Sequence, residues 1–388
     1  MVLSVFGVEP LRIGGTETYA RELSVQLARH GWRSVVCFVT PPPEDVRRFL
    51  ALPSLSVELV GYLQGFNLRV MSRVAQVLRR YKPSIVHFHY GGFLSPYPWL
   101  ARLLAAEQVF FTDHTSRPAR HVTQRAALPK RWLAQAINWP LSGVICVSDY
   151  GCRCVKEHGL FPSSRCARIY NGVDLSRVTE SPERAAAFRR RFGIAAERTV
   201  VCQVSWIIPE KGILDVLEAA RIVVSRNRNA HFVIVGDGPF REEYTGKAIE
   251  LGLREHVTWT GLIEDPFAAG VFDAAEVVCQ ASRWEEVFGW VIAEAMAYRK
   301  PVVATRVGGI PELVSHGESG VLIERGDVQE LAKTLLALLG DPARRESMGA
   351  AGRRRVDTHF DLRRTVGQLV EVYGIRDGPS TSRNRPLV

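Results

Sequence analysis

Residues 281–297 read ASRWEEVFGWVIAEAMA, and this stretch carries the most informative pattern in the chain. Glu286 and Glu294 stand eight residues apart, on either side of a Phe288-Gly289 step. Small residues at 293, 295 and 297 among good helix formers predict a helix that begins near Gly289 and packs closely against its neighbours. Glu286 would precede this helix and Glu294 would lie inside it. The free backbone N–H groups at the start of the helix favour an anion.

A pair of glutamates at this spacing is more often solvated than functional. Here the surrounding residues are mostly apolar, among them Phe288, Trp290 and Met296. A carboxylate held among such residues needs polar partners. The stretch therefore favours a site in which glutamates bind hydroxyls and amides bind a diphosphate, as a nucleotide sugar requires.

Short apolar runs alternate with helical patterns along the whole chain, which predicts an α/β fold with two parallel sheets covered by helices. Helical patterns include 18–29, 211–225 and 328–339. Predicted strands lie near 2–6, 34–39, 56–60, 85–89, 108–112, 143–147 and 167–170, and then near 199–205, 231–236, 257–260, 276–279, 301–304 and 320–323. Two doubly wound, Rossmann-like domains would carry ligand at the carboxyl ends of their strands, so that the facing edges would form one cleft.

The length of 388 residues suits two domains, and turn residues place the join near 174–182. We expect a first domain over 1–175, completed by a returning helix at about 358–375, and a second domain over 176–357. The composition of the tail at 376–388 predicts disorder.

The composition is that of an ordinary globular protein, and no apolar run is long enough to span a membrane. The seven cysteines lie mostly in apolar strands, which indicates buried free thiols, a reducing cytoplasm and no metal site. The net charge is +10, and residues 1–180 carry all of the excess, with 22 basic against 12 acidic residues. The first half therefore favours an anionic partner such as a membrane surface or a phosphorylated acceptor. Nucleic acid is disfavoured because no recognised nucleic-acid module is present.

Several loops that follow predicted strands carry residues suited to ligand binding. Gly14-Gly15 opens a helix and lets the backbone approach a ligand, although a plain tight turn fits equally well and the third glycine of a dinucleotide fingerprint is missing. Lys211 can reach a phosphate as a point charge, although a solvated lysine is the commoner reading of such a position taken alone. His114 can contact a ligand or serve as a hydrogen-bonded structural histidine. The loop of Gly236, Asp237, Gly238 and Pro239 and the loop of Gly308, Gly309, Ile310, Pro311 and Glu312 are each consistent with simple turns.

The segment from Arg117 to Trp139 combines basic residues with two tryptophans. Basic residues beside interfacial aromatics are typical of a helix that lies on an anionic membrane. The alternative is a solvated basic face whose tryptophans belong to the core. The basic and aromatic residues are Arg117, Arg120, Arg125, Lys130, Arg131, Trp132 and Trp139.

Taken in order, these motifs resemble the retaining family 4 glycosyltransferases over about residues 1–375. The most specific part runs from Glu286 through Glu294, the E-x7-E motif, to Gly308-Gly309-Ile310-Pro311-Glu312. The resemblance implies a GT-B fold, with the acceptor mainly on the first domain and the nucleotide-sugar donor mainly on the second. It implies transfer of a hexose from a nucleotide diphosphate sugar, carrying UDP or GDP, with retention of configuration and with neither a metal nor a separate cofactor.

The resemblance also implies a role for each matched residue. Glu286 would bind hydroxyls of the donor sugar, Glu294 the ribose hydroxyls, and Lys211 the departing diphosphate. His114 would face the reacting sugar. The backbone of Gly14 and Gly15 would meet the phosphate, and the base would lie near Gly261 and Leu262. The remaining donor-binding positions would be Gly236, Phe288, Gly289 and Trp290.

The chain departs from the family pattern at Trp206, where the family commonly has an arginine that binds diphosphate with the lysine. Tryptophan cannot neutralise phosphate. Three outcomes are open: another cation, such as Arg12 or Arg283, replaces the arginine, the amides and Lys211 act alone, or activity is impaired. We expect another cation to replace it.

Three functions remain open at this point. The first is an active retaining hexosyltransferase for a lipid-linked or polysaccharide acceptor, cytoplasmic or peripheral on the inner face of the membrane. The second keeps the chemistry but uses a small soluble acceptor, such as an aminocyclitol or a sugar phosphate. The third is a catalytically silent GT-B module that binds nucleotide sugar. Acceptor specificity is expected to lie in the loops at 61–75 and 91–100.

Overall fold

The computed structural model describes residues 1–63, 66–91, 95–118, 127–161 and 163–376. These residues form two compact units. The first contains the described residues within Met1–Thr115, Arg120–Gly172 and Leu362–Val388, and the second contains those within Ser116–Ala119 and Val173–Asp361. Arg120, Arg125, the predicted tail after Arg376 and parts of both predicted acceptor loops lie outside the described residues.

The first unit is built on a seven-stranded sheet in the order β3-β2-β1-β4-β5-β6-β7, and all of its pairings are parallel. Its strands are β1 (Val2–Phe6), β2 (Ser34–Phe38), β3 (Leu55–Leu59), β4 (Ile85–His89), β5 (Gln108–Asp113), β6 (Gly143–Cys146) and β7 (Cys166–Arg168). Every residue of β1, β2 and β4 is buried, as expected for strands covered on both faces.

Helices connect these strands and cover the sheet. They are α1 (Gly15–Arg29), α2 (Glu44–Phe49), α3 (Leu68–Tyr81), α4 (Tyr97–Leu104), α5 (Leu128–Ile137) and α6 (Asp149–His158). The Asn67 side chain caps α3 and the Ser148 side chain caps α6, because each accepts hydrogen bonds from first-turn N–H groups.

The second unit repeats the plan with a six-stranded sheet in the order β10-β9-β8-β11-β12-β13, again parallel throughout. Its strands are β8 (Thr199–Val204), β9 (Ala230–Val235), β10 (Val257–Gly261), β11 (Val277–Gln280), β12 (Val302–Thr305) and β13 (Gly320–Ile323). Its helices are α7 (Pro182–Arg191), α8 (Ile213–Arg226), α9 (Arg241–Glu250), α10 (Val271–Ala274), α11 (Trp290–Ala297), α12 (Ile310–Leu313), α13 (Val328–Leu339) and α14 (Pro342–His359).

The last helix, α15 (Leu362–Val372), belongs to the first unit and packs on α1. Its apolar side chains complete a core cluster with β-strand residues of that unit, including Val2, Ile85 and Phe110. The Tyr373 hydroxyl, just beyond the helix, lies 2.5 Å from His87 Nδ1 inside the same unit.

The predicted fold class is confirmed: both units are doubly wound and Rossmann-like, and the thirteen predicted strands all occur within one or two residues of their predicted bounds. In each sheet the strand order reverses between two central strands, β1 and β4 in the first, β8 and β11 in the second. Ligands of open α/β sheets bind at the carboxyl ends of the strands at such switch points. These two places are therefore where a site is expected.

The cysteines are free thiols, and all except Cys166 are buried. None of the helices in the described ranges is long and apolar enough to cross a membrane.

Candidate active site

Glu286 and Lys211 meet at the switch point of the second sheet. Glu286 follows β11 and only 7% of its surface is exposed. One carboxylate oxygen, Oε1, accepts from Lys211 Nζ at 2.6 Å and from the Ser282 hydroxyl at 2.7 Å. The other, Oε2, accepts from the Ser116 hydroxyl at 3.1 Å. The predicted sugar-binding glutamate and the predicted diphosphate-binding lysine thus form one ion pair.

Two opposing effects set the pKa of Glu286. Burial raises it, whereas the Lys211 ammonium and the hydrogen bonds from Lys211, Ser282 and Ser116 lower it, and the net pKa lies below the ordinary value. Glu286 is therefore an ionised acceptor near neutral pH. It suits hydrogen bonding to sugar hydroxyls and does not suit proton donation.

Gly308 and Gly309 fix the backbone that carries Glu286. The Gly309 N–H donates to the Glu286 carbonyl at 2.7 Å. Gly308 has φ +56°, and a Cβ built there would lie 2.0 Å from that same carbonyl oxygen. A side chain at position 308 would displace the loop, so the glycine pair is required by the approach of two backbones.

The neighbouring Glu285 has a different role. Its carboxylate binds Arg325 and accepts from the Gly308 N–H at 2.6 Å, so it is committed to an ion pair within the unit. Its backbone forms an isolated antiparallel bridge with Arg117. Of the two adjacent glutamates, it is Glu286 whose carboxylate meets Lys211.

Helix α11 begins directly after Gly289, which has φ +102° and occupies the N-cap position. Ala293, Ala295 and Ala297 are fully buried, which allows the close packing that their size indicates. Glu294 is half-buried on this helix, and the Phe288 ring contacts Trp290 edge to face at 5.7 Å between centroids.

Trp206 lies in the loop after β8 and is 63% exposed. Its indole covers Gly238 in the loop after β9, since a Cβ at Gly238 would lie 2.4 Å from Trp206 Cδ1. Gly236, with φ +134°, likewise leaves room for the Ser205 carbonyl. The two glycines of the Gly236-Asp237-Gly238-Pro239 loop thus accommodate the segment that carries Trp206.

One of the two cations considered as replacements for the usual arginine has a partner of its own. Arg283 forms a two-pronged ion pair with the buried Asp215. Arg12 lies beside Gly14 in the first unit. Gly261, at the end of β10 with φ +72°, has Arg241 next to it, and the following Leu262 is half-exposed. Arg241 itself pairs with Asp237 at 3.1 Å.

At the switch point of the first sheet, Gly14 caps α1 and Gly15 is its first residue. The Gly14 N–H donates to Glu17 Oε2 at 3.0 Å. Burial is the main influence on Glu17 and raises its pKa to about 7, against the lowering effect of backbone hydrogen bonds and Arg12. A partly protonated carboxyl at this helix start repels anions less than a full carboxylate would.

His114 follows β5 in the first unit, among other aromatic rings. Its Nε2 lies 3.3 Å from His89 Nδ1, and its ring stacks on Tyr90. Burial lowers the pKa of His114 to about 4, opposed by the nearby Asp113. The imidazole is neutral near pH 7, so it can donate or accept a hydrogen bond but carries no charge toward a phosphate.

Several of these contacts have no signal in the sequence. Ser116 lies 170 residues from Glu286, and nothing in its neighbourhood marks it as a partner. Ser282 could have been suspected only from its position four residues before Glu286. Tyr90 and His89 lie in a strand end, IVHFHY, that reads simply as buried sheet.

Known proteins match both units. Residues 13–177 match the family described as Glycosyltransferase Family 4, and residues 185–355 match Glycosyl transferases group 1. A GDP-mannose-dependent alpha-(1-6)-phosphatidylinositol monomannoside mannosyltransferase from Mycobacterium tuberculosis is 34% identical over 267 residues, which cover 67% of this chain and 68% of that protein. The chain belongs to glycosyltransferase family 4.

Another relative of this glycosyltransferase carries the name of a different transferase. The chain is 29% identical over 379 residues to an alpha-D-kanosaminyltransferase from Streptomyces kanamyceticus, covering 91% of this chain and 97% of that protein. Among solved structures, Anabaena HepE in complex with UDP and glucose superposes with a TM-score of 0.79 at 22% identity, covering 96% of this glycosyltransferase and 99% of HepE. That likeness supports the GT-B fold.

Proposed function

We propose that this glycosyltransferase moves a hexose from a nucleotide diphosphate sugar to an acceptor hydroxyl, with retention of anomeric configuration and without a metal. The observation that carries the proposal is the Lys211–Glu286 pair, a buried carboxylate and a cation 2.6 Å apart at the switch point of a Rossmann-like sheet. The donor offers hydroxyls to one member and diphosphate to the other.

In this proposal Glu286 binds hydroxyls of the donor sugar and Glu294 binds the ribose. Lys211, with backbone N–H groups around Phe288, Gly289 and Trp290, meets the diphosphate. Negative charge grows on the leaving diphosphate as the anomeric carbon becomes cationic. Fixed donors aimed at that charge lower the barrier by about 3 kcal/mol each.

Donor binding draws on both members of the ion pair. Lys211 Nζ donates to Glu286, and diphosphate competes for the same ammonium. Sugar hydroxyls can then take the place of the ammonium on Oε1, while Ser282 and Ser116 keep their hydrogen bonds. In this way the carboxylate stays satisfied in both states, which avoids the cost of an unpaired buried charge.

For the acceptor, we propose a lipid-linked or polysaccharide sugar at an anionic membrane surface. The first unit has an apolar-basic surface formed by α4, α5 and Trp139. Helices α4 and α5 are adjacent, because Trp99 Nε1 donates to the Ala136 carbonyl at 3.3 Å. Trp132 is 76% exposed and Trp139 70%, so these tryptophans are not part of the core.

The other members of the apolar-basic surface fit the same partner. Leu103, Leu128 and Leu133 are more than half exposed on these helices. Lys130 and Arg131 lie beside Trp132 in α5. Exposed tryptophan and leucine side chains next to cations are the combination that binds an anionic lipid surface.

A small soluble acceptor is the second candidate. It is supported by relatives named alpha-D-kanosaminyltransferase and 2-deoxystreptamine glucosyltransferase. Flotation with vesicles that contain or lack anionic lipid separates the two. Binding that requires anionic lipid and is lost in Trp132→Ala/Trp139→Ala supports the membrane acceptor, and failure of the unaltered protein to float favours the soluble one.

The transfer reaction has its own test. A thermal-shift panel of UDP- and GDP-sugars should identify the donor, because binding raises the melting temperature by mass action. With that donor, Glu286→Ala and Lys211→Ala should each abolish transfer while the variants remain folded, and chelator should leave wild-type turnover unchanged. Donor binding without transfer or hydrolysis would instead indicate the silent nucleotide-sugar-binding module, which Trp206 favours.

A further inference from the structure

Tyr90 has a backbone conformation that its residue type disfavours. It follows β4 directly and has φ +57°, in the left-handed region. For a bulky side chain this costs about 1–2 kcal/mol and persists only where the surroundings impose it. Such residues concentrate at functional sites. Gly7, after β1, makes room for it, since a Cβ there would lie 2.8 Å from the Tyr90 carbonyl oxygen.

The left-handed turn places the Tyr90 ring on the face of the sheet that carries the histidines. Along an extended strand side chains alternate, so Tyr90 would share the face of Phe88 and oppose His89. Phe88 packs in the cluster of Leu3 and Val5, on the opposite face. Tyr90 instead packs against the cluster of Phe6, whose ring stacks on His89.

In this position Tyr90 makes two specific contacts. Its ring stacks on His114 with 4.4 Å between centroids and 18° between planes. Its hydroxyl lies 3.0 Å from Thr16 Oγ1, in the first turn of α1 and next to Gly15. One side chain therefore joins the glycine pair at the start of α1 to the histidine after β5.

The His114 imidazole packs between neighbouring rings, with 5.6 Å between its centroid and that of His89 and 4.4 Å to that of Tyr90. The hydrogen bond with His89 is long, at 3.3 Å. The ring also borders a small cavity of about 20 Å³, enough for one water molecule, which is lined in part by Tyr19, Asn171 and Thr365. Of these two rings, that of Tyr90 is the nearer and the more nearly parallel to the imidazole, at 18° against 27°.

We propose that Tyr90 is the positioning residue for His114 and couples the orientation of that imidazole to the first turn of α1. The inference rests on the proposed function, together with the roles that the family resemblance implies, in which His114 faces the reacting sugar and Gly14-Gly15 receives the phosphate. Phosphate that orders the start of α1 would, through Thr16 and Tyr90, also fix the imidazole. Tyr90 need not touch substrate for this.

Two variants remove the same hydrogen bond from opposite ends. Tyr90→Phe and Thr16→Val should each lower kcat about 2- to 10-fold, the range for one hydrogen bond. The double variant should be no slower than either single variant. Additive losses, or no loss in either, would overturn the coupling to α1.

Tyr90→Leu removes the stack. We expect kcat to fall on the order of 100-fold, because a small misplacement of a reacting group has that effect, while donor affinity changes less than threefold. Heteronuclear NMR of the histidine side chains, with His114→Gln to assign the signal, should show the His114 resonances displaced. Unchanged kcat together with unmoved resonances would overturn the proposal.

The two proposals fail differently. If the wild type transfers no sugar, the proposed function fails, yet the His114 resonances still test the positioning role. If Tyr90→Leu does not fold, Tyr90→Phe and Thr16→Val decide the matter, since both keep the ring stack. Coincident shifts of the His114 signal in those two variants support the proposal, and independent shifts refute it.

Discussion

Replacing Lys211 with methionine should destabilise the second unit because it leaves Glu286 charged and buried. The side chain of Glu286 is 10% exposed and that of Lys211 24%. Removal of one partner from a buried pair costs about 3–5 kcal/mol, and the partial exposure of Lys211 places the expected loss near about 3 kcal/mol. For a unit of this size that corresponds to a fall in melting temperature of about 6–12 °C.

The double variant Lys211→Met/Glu286→Gln tests the physical reason. It removes both charges, so it should recover about 1–2 kcal/mol relative to Lys211→Met alone. Urea unfolding of wild type, both single variants and the double variant gives the coupling. If the loss of unfolding free energy in the double variant equals the sum of the losses in the two single variants, the unpaired carboxylate does not destabilise the unit and the reasoning fails.

The single variant Lys211→Met should also change how stability depends on pH. Without Lys211, burial dominates and raises the pKa of Glu286 above that of the unfolded chain. The destabilisation is then present near neutral pH and is relieved as falling pH protonates the carboxyl. In the wild type the pKa is lowered instead, so the contribution of Glu286 to stability is lost as the pH falls. Opposite slopes in the two proteins are expected, and parallel slopes would contradict the assignment.

Three further predictions follow from single features. Gly308→Ala should lower the free energy of unfolding by more than about 3 kcal/mol and reduce transfer. Gly317→Ala, at φ +83° with open space around it, should lower it by only about 1 kcal/mol, and equal losses in urea unfolding would contradict the steric argument. Trp206→Arg should tighten nucleotide diphosphate binding about fivefold in titration calorimetry, with Trp206→Phe unchanged as control, and weaker binding would show that this position does not face phosphate. Burial lowers the pKa of His87 to about 3, so the unfolded chain binds a proton below about pH 6.5 that the folded chain excludes. His87 by itself should account for about 2 kcal/mol of the stability lost between pH 7 and 5; His87→Gln should remove that share of the slope, and an unchanged slope would be the contrary result.

The sequence predicts the sheets well because their signal is local. Strands such as Val2–Phe6 and Ala230–Val235 are short, continuous apolar runs, and burial on both faces requires such runs. The register of Glu286 could also be read, because a glycine and three alanines nearby mark the start and the packed face of α11.

Other parts of the site could not be predicted because they depend on residues far apart in the chain. Ser116 and Glu286 are hydrogen-bonded although 170 residues separate them in the chain, and 40 residues separate Arg325 from its partner Glu285. The conformation of Tyr90 gives no sequence signal, since tyrosine seldom adopts it. The exposure of Trp132 also depends on packing, and the sequence left open whether that tryptophan is buried.

The return of α15 to the first unit has a consequence for the order of folding. During synthesis the strands of that unit emerge early, but a wall of its core is supplied by Leu362, Val366 and Leu369, near the end of the described chain. Until those residues leave the ribosome, the matching faces of β1 and α1 stay exposed to water. The unit whose strands are synthesised first therefore completes its core last. A protein truncated after residue 172 would lack the part of that core that α15 supplies.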